Sequence, residues 1–174
     1  LKNKNNFLGI KNSNEAASKV YVVPYGLEKT VSYGTGTSLG PEKILKASRQ
    51  IELYDIELGI EPSAILSPKT LEVKEIPSSH VSALIKLQNI VKLIVGCKKF
   101  PIVIGGEHSI TPACIKPLLE KSKSLTIVQF DAHADLRDKY QGKKNSHACS
   151  MRRCLDNKNL NLISIGVRSI SNEE

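Results

Sequence analysis

Leu125-Thr126-Ile127-Val128-Gln129-Phe130-Asp131-Ala132-His133-Ala134-Asp135-Leu136 joins a six-residue, largely apolar run to a loop in which carboxylates and an imidazole alternate. A run without polar alternation is the pattern of a strand buried on both faces, as in parallel sheets. Upstream, Pro101-Ile102-Val103-Ile104-Gly105-Gly106 repeats the pattern and breaks at two glycines, and a helix is expected between the two strands from about Thr111 to Lys121. Downstream, a helix is expected after His147, then a third apolar strand from Leu160 to Val167. Strands alternating with helices predict an α/β fold whose parallel sheet is covered on both faces.

The remaining segments extend this order toward the N-terminus. Lys19 to Val23 reads as an early strand closed by Pro24-Tyr25-Gly26. Pro41 suits the first turn of a helix carrying Ile44, Leu45, Ala47, Ser48, Ile51 and Leu53. Glu57 to Lys74 is expected to be irregular. Ser78 or Ser79 caps a long helix in which Leu84, Leu87, Val91 and Ile94 recur at three- and four-residue steps, with Gly96 near its end.

The chain has 174 residues, 25 Lys+Arg and 17 Asp+Glu, a balance of +8. Its length suits one domain, residues 1–174. With 40% hydrophobic and 24% charged residues it is neither collagen-like, mucin-like nor coiled-coil. No apolar run approaches the roughly 20 residues that cross a bilayer; the best window, Ala83 to Val95, carries Lys86 and Lys92. The basic start, Leu1 to Asn6, leads into only Phe7-Leu8-Gly9-Ile10, too short for a signal peptide. Cys97, Cys114, Cys149 and Cys154 form no Cys-x-x-Cys pair and are expected to be packed free thiols of a cytoplasmic protein. The pairs Lys98-Lys99, Lys143-Lys144 and Arg152-Arg153 are scattered, and aromatics are only 5%, so the charge is not read as a nucleic-acid surface.

The chemistry gathers where strands end, because ligands of parallel sheets bind at the carboxyl ends of strands. In extended backbone Asp131, His133 and Asp135 would project to one side, and His108, after Gly105-Gly106-Glu107, could reach the same place from the neighbouring strand. Carboxylates with imidazoles and no thiolate suit a divalent ion, Mn²⁺ first, then Zn²⁺, Fe²⁺, Co²⁺ or Ni²⁺. Two ions sharing a carboxylate would lower the pKa of a water and point to hydrolysis. The plainer reading makes His108 a capping or core histidine and the carboxylates solvated loop residues. Several carboxylates together at a buried strand's exit are costly without cations, which favours the metal.

Gly105-Gly106-Glu107-His108-Ser109-Ile110, Asp131-Ala132-His133-Ala134-Asp135-Leu136 and Asn145-Ser146-His147-Ala148-Cys149-Ser150-Met151-Arg152-Arg153 resemble, in order and spacing, successive signatures of the arginase/agmatinase (ureohydrolase) family. The last is most like the agmatinase branch. Tyr33-Gly34-Thr35-Gly36, Gly40-Pro41 and Ile165-Gly166-Val167-Arg168-Ser169 resemble it too, so the likeness runs from about Tyr21 onward. The resemblance implies a three-layer α/β/α sandwich with a mainly parallel sheet and a dinuclear Mn²⁺ centre that hydrolyses a guanidinium group to urea and an amine. By position, His108 would hold one ion and His133 the other, Asp131 would bridge them, and Asp135 would sit on the first. His147 would handle the leaving amine's proton, and Asn145 would lie at the substrate. The family also suggests a homo-oligomer, trimer or hexamer.

Glu107 stands where many relatives have Asp, and Ala134 where many have Thr; neither is expected to be a ligand. The family completes its metal site with a later Ser-x-Asp-x-Asp segment. After Asp138 the acidic residues are only Asp156, Glu173 and Glu174. With Leu1 at the start and Met151 as the single methionine, the chain is expected to be an N-terminal portion, its sheet incomplete at the C-terminus. Alone it should bind at most one metal well and release negligible urea. Agmatine, yielding putrescine, is the first substrate reading; arginine, guanidinobutyrate and formiminoglutamate stay open, as does a truncated non-catalytic homologue. Gly34-Thr35-Gly36-Thr37-Ser38-Leu39-Gly40 is read as a turn rather than a nucleotide loop.

Overall fold

The computed structural model describes residues 6–11 and 14–174; the basic start from Leu1 to Asn5 lies outside them. The elements are β1 (Val20–Tyr25), α1 (Gly40–Ala47), α2 (Pro62–Leu66), β2 (Lys69–Thr70), α3 (His80–Gly96), β3 (Phe100–Gly105), α4 (Thr111–Leu119), β4 (Leu125–Phe130), α5 (Ser150–Leu155) and β5 (Leu160–Ile165). The strands pair in parallel, in the orders β2-β1-β3 and β4-β5. Two compact units result, one drawing on residues up to Leu27, Gly36–Ile76 and Leu93–Gly106, the other on Glu28–Thr35, Pro77–Lys92 and Glu107–Glu174.

In the first unit β1 runs two residues past the expected stop, through Pro24, which registers with Ile104. Leu71 N–H donates to the Val22 carbonyl (2.9 Å) and Gly106 N–H to that of Tyr25 (3.2 Å). By alternation Pro24 falls on the β2 side, beyond Thr70, where a missing N–H costs no ladder bond. Val22, Val23, Tyr25 and Leu27 are fully buried, and α1 packs on β1 and β3 through Pro41 and Leu45. The helix is shorter than its apolar pattern suggested, because a single turn of 3-10 helix (Ser48–Gln50) hands over to extended backbone at Ile51. The irregular stretch after Glu57 holds α2 and the two-residue β2.

Gly106 is required by close approach. A Cβ placed there would lie 2.2 Å from the Leu27 carbonyl oxygen, a backbone atom that cannot rotate away. Gly106→Ala is expected to cost about 1–3 kcal/mol, the range for forced overpacking, read as a lowered denaturant midpoint with an unchanged slope.

Ser79 caps α3: its hydroxyl accepts the Ser82 N–H (3.4 Å) and its carbonyl the Ala83 N–H (2.9 Å). The buried stripe is Ala83, Leu87, Val91 and Ile94, with Leu84 only half-buried. In the second unit α4 and α5 pack together over Met151, Cys154 and Leu160, against which Ile115, Leu119, Ile127, Leu136, Leu155 and Leu162 lie. Both helices serve one face of β4–β5. The other face leaves Val128, Phe130, Ile163 and Ile165 exposed among the described residues, up to 79% at Phe130. Burial pushes the Cys114 and Cys154 thiols up to about 12, and Cys149 is buried, but Cys97 is exposed rather than packed. Among the described residues no helix is long and apolar enough to cross a membrane.

Candidate metal centre

The loop leaving β4 is pinned by the backbone that follows β5. Asp131 N–H donates to the Ile165 carbonyl (3.1 Å), and the Ala132 carbonyl accepts from Arg168 N–H (2.9 Å) and Ser169 N–H (3.0 Å). His133 forms a parallel bridge with Ser169. Gly166, at φ +92°, makes the turn that allows this approach. Asp135 adopts φ +54°, an uncommon left-handed conformation for a non-glycine residue that Asp tolerates better than most. Its carbonyl accepts the Met151 N–H (3.0 Å) and the Arg152 N–H (3.2 Å), first-turn donors of α5 that have no partner within the helix. Helix and loop thus hold each other.

That turn decides which side chains meet. Asp135 Oδ2 lies 2.6 Å from His108 Nδ1, and Asp131 Oδ2 lies 3.8 Å from the same nitrogen. Donor atoms of His108, Asp131 and Asp135 all fall within 4.8 Å of one another. The His133 ring is outside this trio, 64% exposed, with Nδ1 3.5 Å from the other Asp131 oxygen, Oδ1. Simple extended alternation, expected to aim Asp131, His133 and Asp135 at one point, is replaced by a left-handed turn that brings Asp135 to His108 and leaves His133 on the far side of Asp131. One imidazole and two carboxylates form a hard-to-borderline donor set without thiolate, which fits a divalent cation such as Mn²⁺. Burial works against the Asp131 charge, but the His133 backbone N–H, His108 and the Gln129 side chain outweigh it and hold the carboxyl below its ordinary range.

A second cluster adjoins the first through the one-turn helices His108–Ile110 and His147–Cys149, which contact each other. Ser150 Oγ lies 2.9 Å from the His108 carbonyl and 2.8 Å from that of His147. His147 N–H donates to Thr30 Oγ1 (3.0 Å), which is also 3.3 Å from His147 Nδ1. His147 Nε2 faces Ser32 Oγ at 3.1 Å, and Tyr140 meets the ring edge-on at 5.6 Å. Asn145 is exposed on the turn just before Ser146 and lies outside this network.

Glu107, which is not expected to be a ligand, is the hub. It is buried, and its Oε2 accepts the Lys29 N–H (2.6 Å) and the Thr30 N–H (2.7 Å). Oε1 accepts the hydroxyls of Thr30 (2.7 Å) and Ser109. Burial opposes its charge, but these bonds prevail and the carboxyl sits below its usual range. His80 Nε2 lies 3.1 Å from Ser109 Oγ. Burial pushes this imidazole down, against an upward pull from Glu107. Glu107 beside His108 was the available signal; nothing local marked Thr30 or Ser32, which the fold brings in from far along the chain.

A model described as the Arginase family matches residues 18–174. The N(1)-aminopropylagmatine ureohydrolase of Synechocystis is 38% identical over 165 residues, 91% of this chain and 54% of its own length. An agmatinase of Bacillus cereus is 32% identical over 161 residues, 90% and 54% respectively. Among solved structures, the agmatine ureohydrolase of Thermoplasma volcanium has a TM-score of 0.77 at 33% identity, covering 90% of this chain and 53% of its own. A putative agmatinase from Clostridium difficile has a TM-score of 0.81 at 28% identity, covering 92% and 58%. The chain thus spans about half the length of the curated relatives it matches.

Proposed function

The chain belongs to the arginase family, and on that footing we propose that the full-length protein is a divalent-metal amidinohydrolase that splits the guanidinium group of agmatine into urea and putrescine. The observation that carries this reading is the convergence of His108, Asp131 and Asp135 donor atoms within 4.8 Å. In this reading those three residues and His133 hold the ions, Asp131 lying between the two imidazoles. Divalent ions held there, manganese first, would supply a water acidic enough to attack a planar guanidinium carbon at neutral pH.

The protein's own groups then have separate tasks. Asp131 and Asp135 give negative potential to a cationic substrate in a stretch that otherwise repels it: Asp131 to Arg153 holds six Lys and Arg against three Asp. His147 takes up and delivers the proton that the departing amine needs, a task suited to imidazole. Asn145, exposed just before Ser146, would meet the substrate's tail in this reading.

A second reading, N(1)-aminopropylagmatine as substrate, is favoured by the 38% identity to the Synechocystis enzyme of that name. The two substrates share the guanidino end and differ on the amine. The test is urea release by the full-length protein with Mn²⁺ from agmatine, N(1)-aminopropylagmatine and arginine. We expect turnover of the first two, abolished by a chelator, and arginine slower by about 100-fold, the scale set when a pocket must accept a mismatched polar group. Arginine hydrolysed faster than agmatine would reverse the substrate assignment.

A further inference from the structure

Four donors converge on Glu107, and it can accept them all only as a carboxylate, which donates nothing in return. The Thr30 hydroxyl has one proton, and its 2.7 Å contact with Glu107 Oε1 commits that proton to the carboxylate. Thr30 Oγ1 therefore has only lone pairs left for His147. One receives the His147 backbone N–H at 3.0 Å; the other faces Nδ1 at 3.3 Å. A bare Nδ1 would set lone pair against lone pair, whereas a protonated Nδ1 completes a hydrogen bond. Ser146 Oγ, also 3.3 Å from Nδ1, can turn to accept the same hydrogen. A neutral imidazole carries one proton, so the acceptor nitrogen becomes Nε2, 3.1 Å from Ser32 Oγ, whose single hydroxyl proton turns to it from the Tyr140 oxygen 3.2 Å away.

We infer that Glu107 is a positioning residue which, acting through Thr30, fixes the neutral His147 ring in its Nδ1–H tautomer and leaves Nε2 as the nitrogen that exchanges protons in the reaction. The inference rests on the reading of His147 as the group that handles the leaving amine's proton. The same carboxylate ties residues 29 and 30 to the backbone beside His108, so one side chain sets both the ring's position and its proton. A carboxamide at this position would turn its NH₂ toward donors and break at least one of the bonds. The longer Glu side chain therefore acts through its hydrogen bonds and not as a metal ligand.

The test combines neutron diffraction with kinetics on the full-length, metal-loaded protein. In deuterated crystals at alkaline pH, nuclear density is expected for a deuteron on His147 Nδ1 and none on Nε2; the reverse arrangement overturns the inference. Thr30→Val, which keeps the shape and deletes the hydroxyl, and Glu107→Gln should each lower kcat about tenfold, part of the 10²–10⁴ that general acid–base catalysis contributes. KM and bound metal should hold near wild-type values, and Thr30→Ser should restore most of kcat. Loss of metal in Thr30→Val, or wild-type kcat in that variant, also overturns it. A His147→Asn protein with undiminished kcat would remove the catalytic reading of His147 instead, and the neutron map would still decide the tautomer.

Discussion

Asp131→Ala in the full-length, metal-loaded protein is expected to lower urea release at least about a thousandfold, roughly 4 kcal/mol of lost transition-state stabilisation, and to lower bound metal with it. Asp131 is the carboxylate whose two oxygens face different imidazoles, Oδ2 toward His108 and Oδ1 toward His133. No neighbour can replace it, because Asp135 Oδ2 is already engaged at 2.6 Å with His108. Oδ1 also accepts the His133 backbone N–H at 2.9 Å, so part of the alanine effect could come from a loosened loop. Asp131→Asn separates the two causes. It keeps an oxygen for that hydrogen bond while removing the charge, and it should lose metal and activity nearly as completely. Full metal occupancy and activity in the Asn variant would show that the carboxylate charge is not what the site uses. Metal content by elemental analysis and urea release on the same samples check the prediction.

His147→Asn should behave differently. We expect kcat to fall about a hundredfold, the lower part of the range for general acid–base groups, with metal content unchanged. Its backbone N–H bond to Thr30 survives the substitution, and it stands outside the trio of donor atoms around His108. A variant that loses metal together with activity would make His147 a support for the metal loop instead. The contrast between the two substitutions, one emptying the site and one leaving it loaded but slow, separates ion binding from proton transfer.

Much of the second unit was legible because its signals are local. Leu125–Phe130 is a strand with the expected bounds, and Ser79 caps α3 as its side-chain type suggests. Hydrophobic runs and cap residues act within a few positions, so periodicity reveals them. Pro24 was harder. A proline normally ends a strand, and only the shortness of β2 leaves its missing N–H without consequence.

At the site, residue types were readable and geometry was not. His108, Asp131 and Asp135 were identifiable as ligand candidates from their chemistry and spacing. The way they meet depends on a left-handed residue, Asp135, held by the first turn of α5, and no alternation rule describes that. Glu107 was legible as a departure that is not expected to be a ligand, but its hydrogen-bonding role was not, because three of its four donors come from Lys29 and Thr30, far away in sequence. Long-range hydrogen bonds leave no periodic trace, and a buried carboxylate's role is set by who donates to it.

His108, Asp131 and Asp135, with His133 beside them, form one divalent-metal centre in the proposed enzyme. Anomalous diffraction from crystals of the full-length protein grown with Mn²⁺ tests it most directly. Strong anomalous peaks are expected within reach of His108, Asp131 and Asp135, and of His133 beside the Oδ1 oxygen of Asp131. Crystals of an enzyme that releases urea from agmatine but shows no anomalous density at these four residues would contradict it.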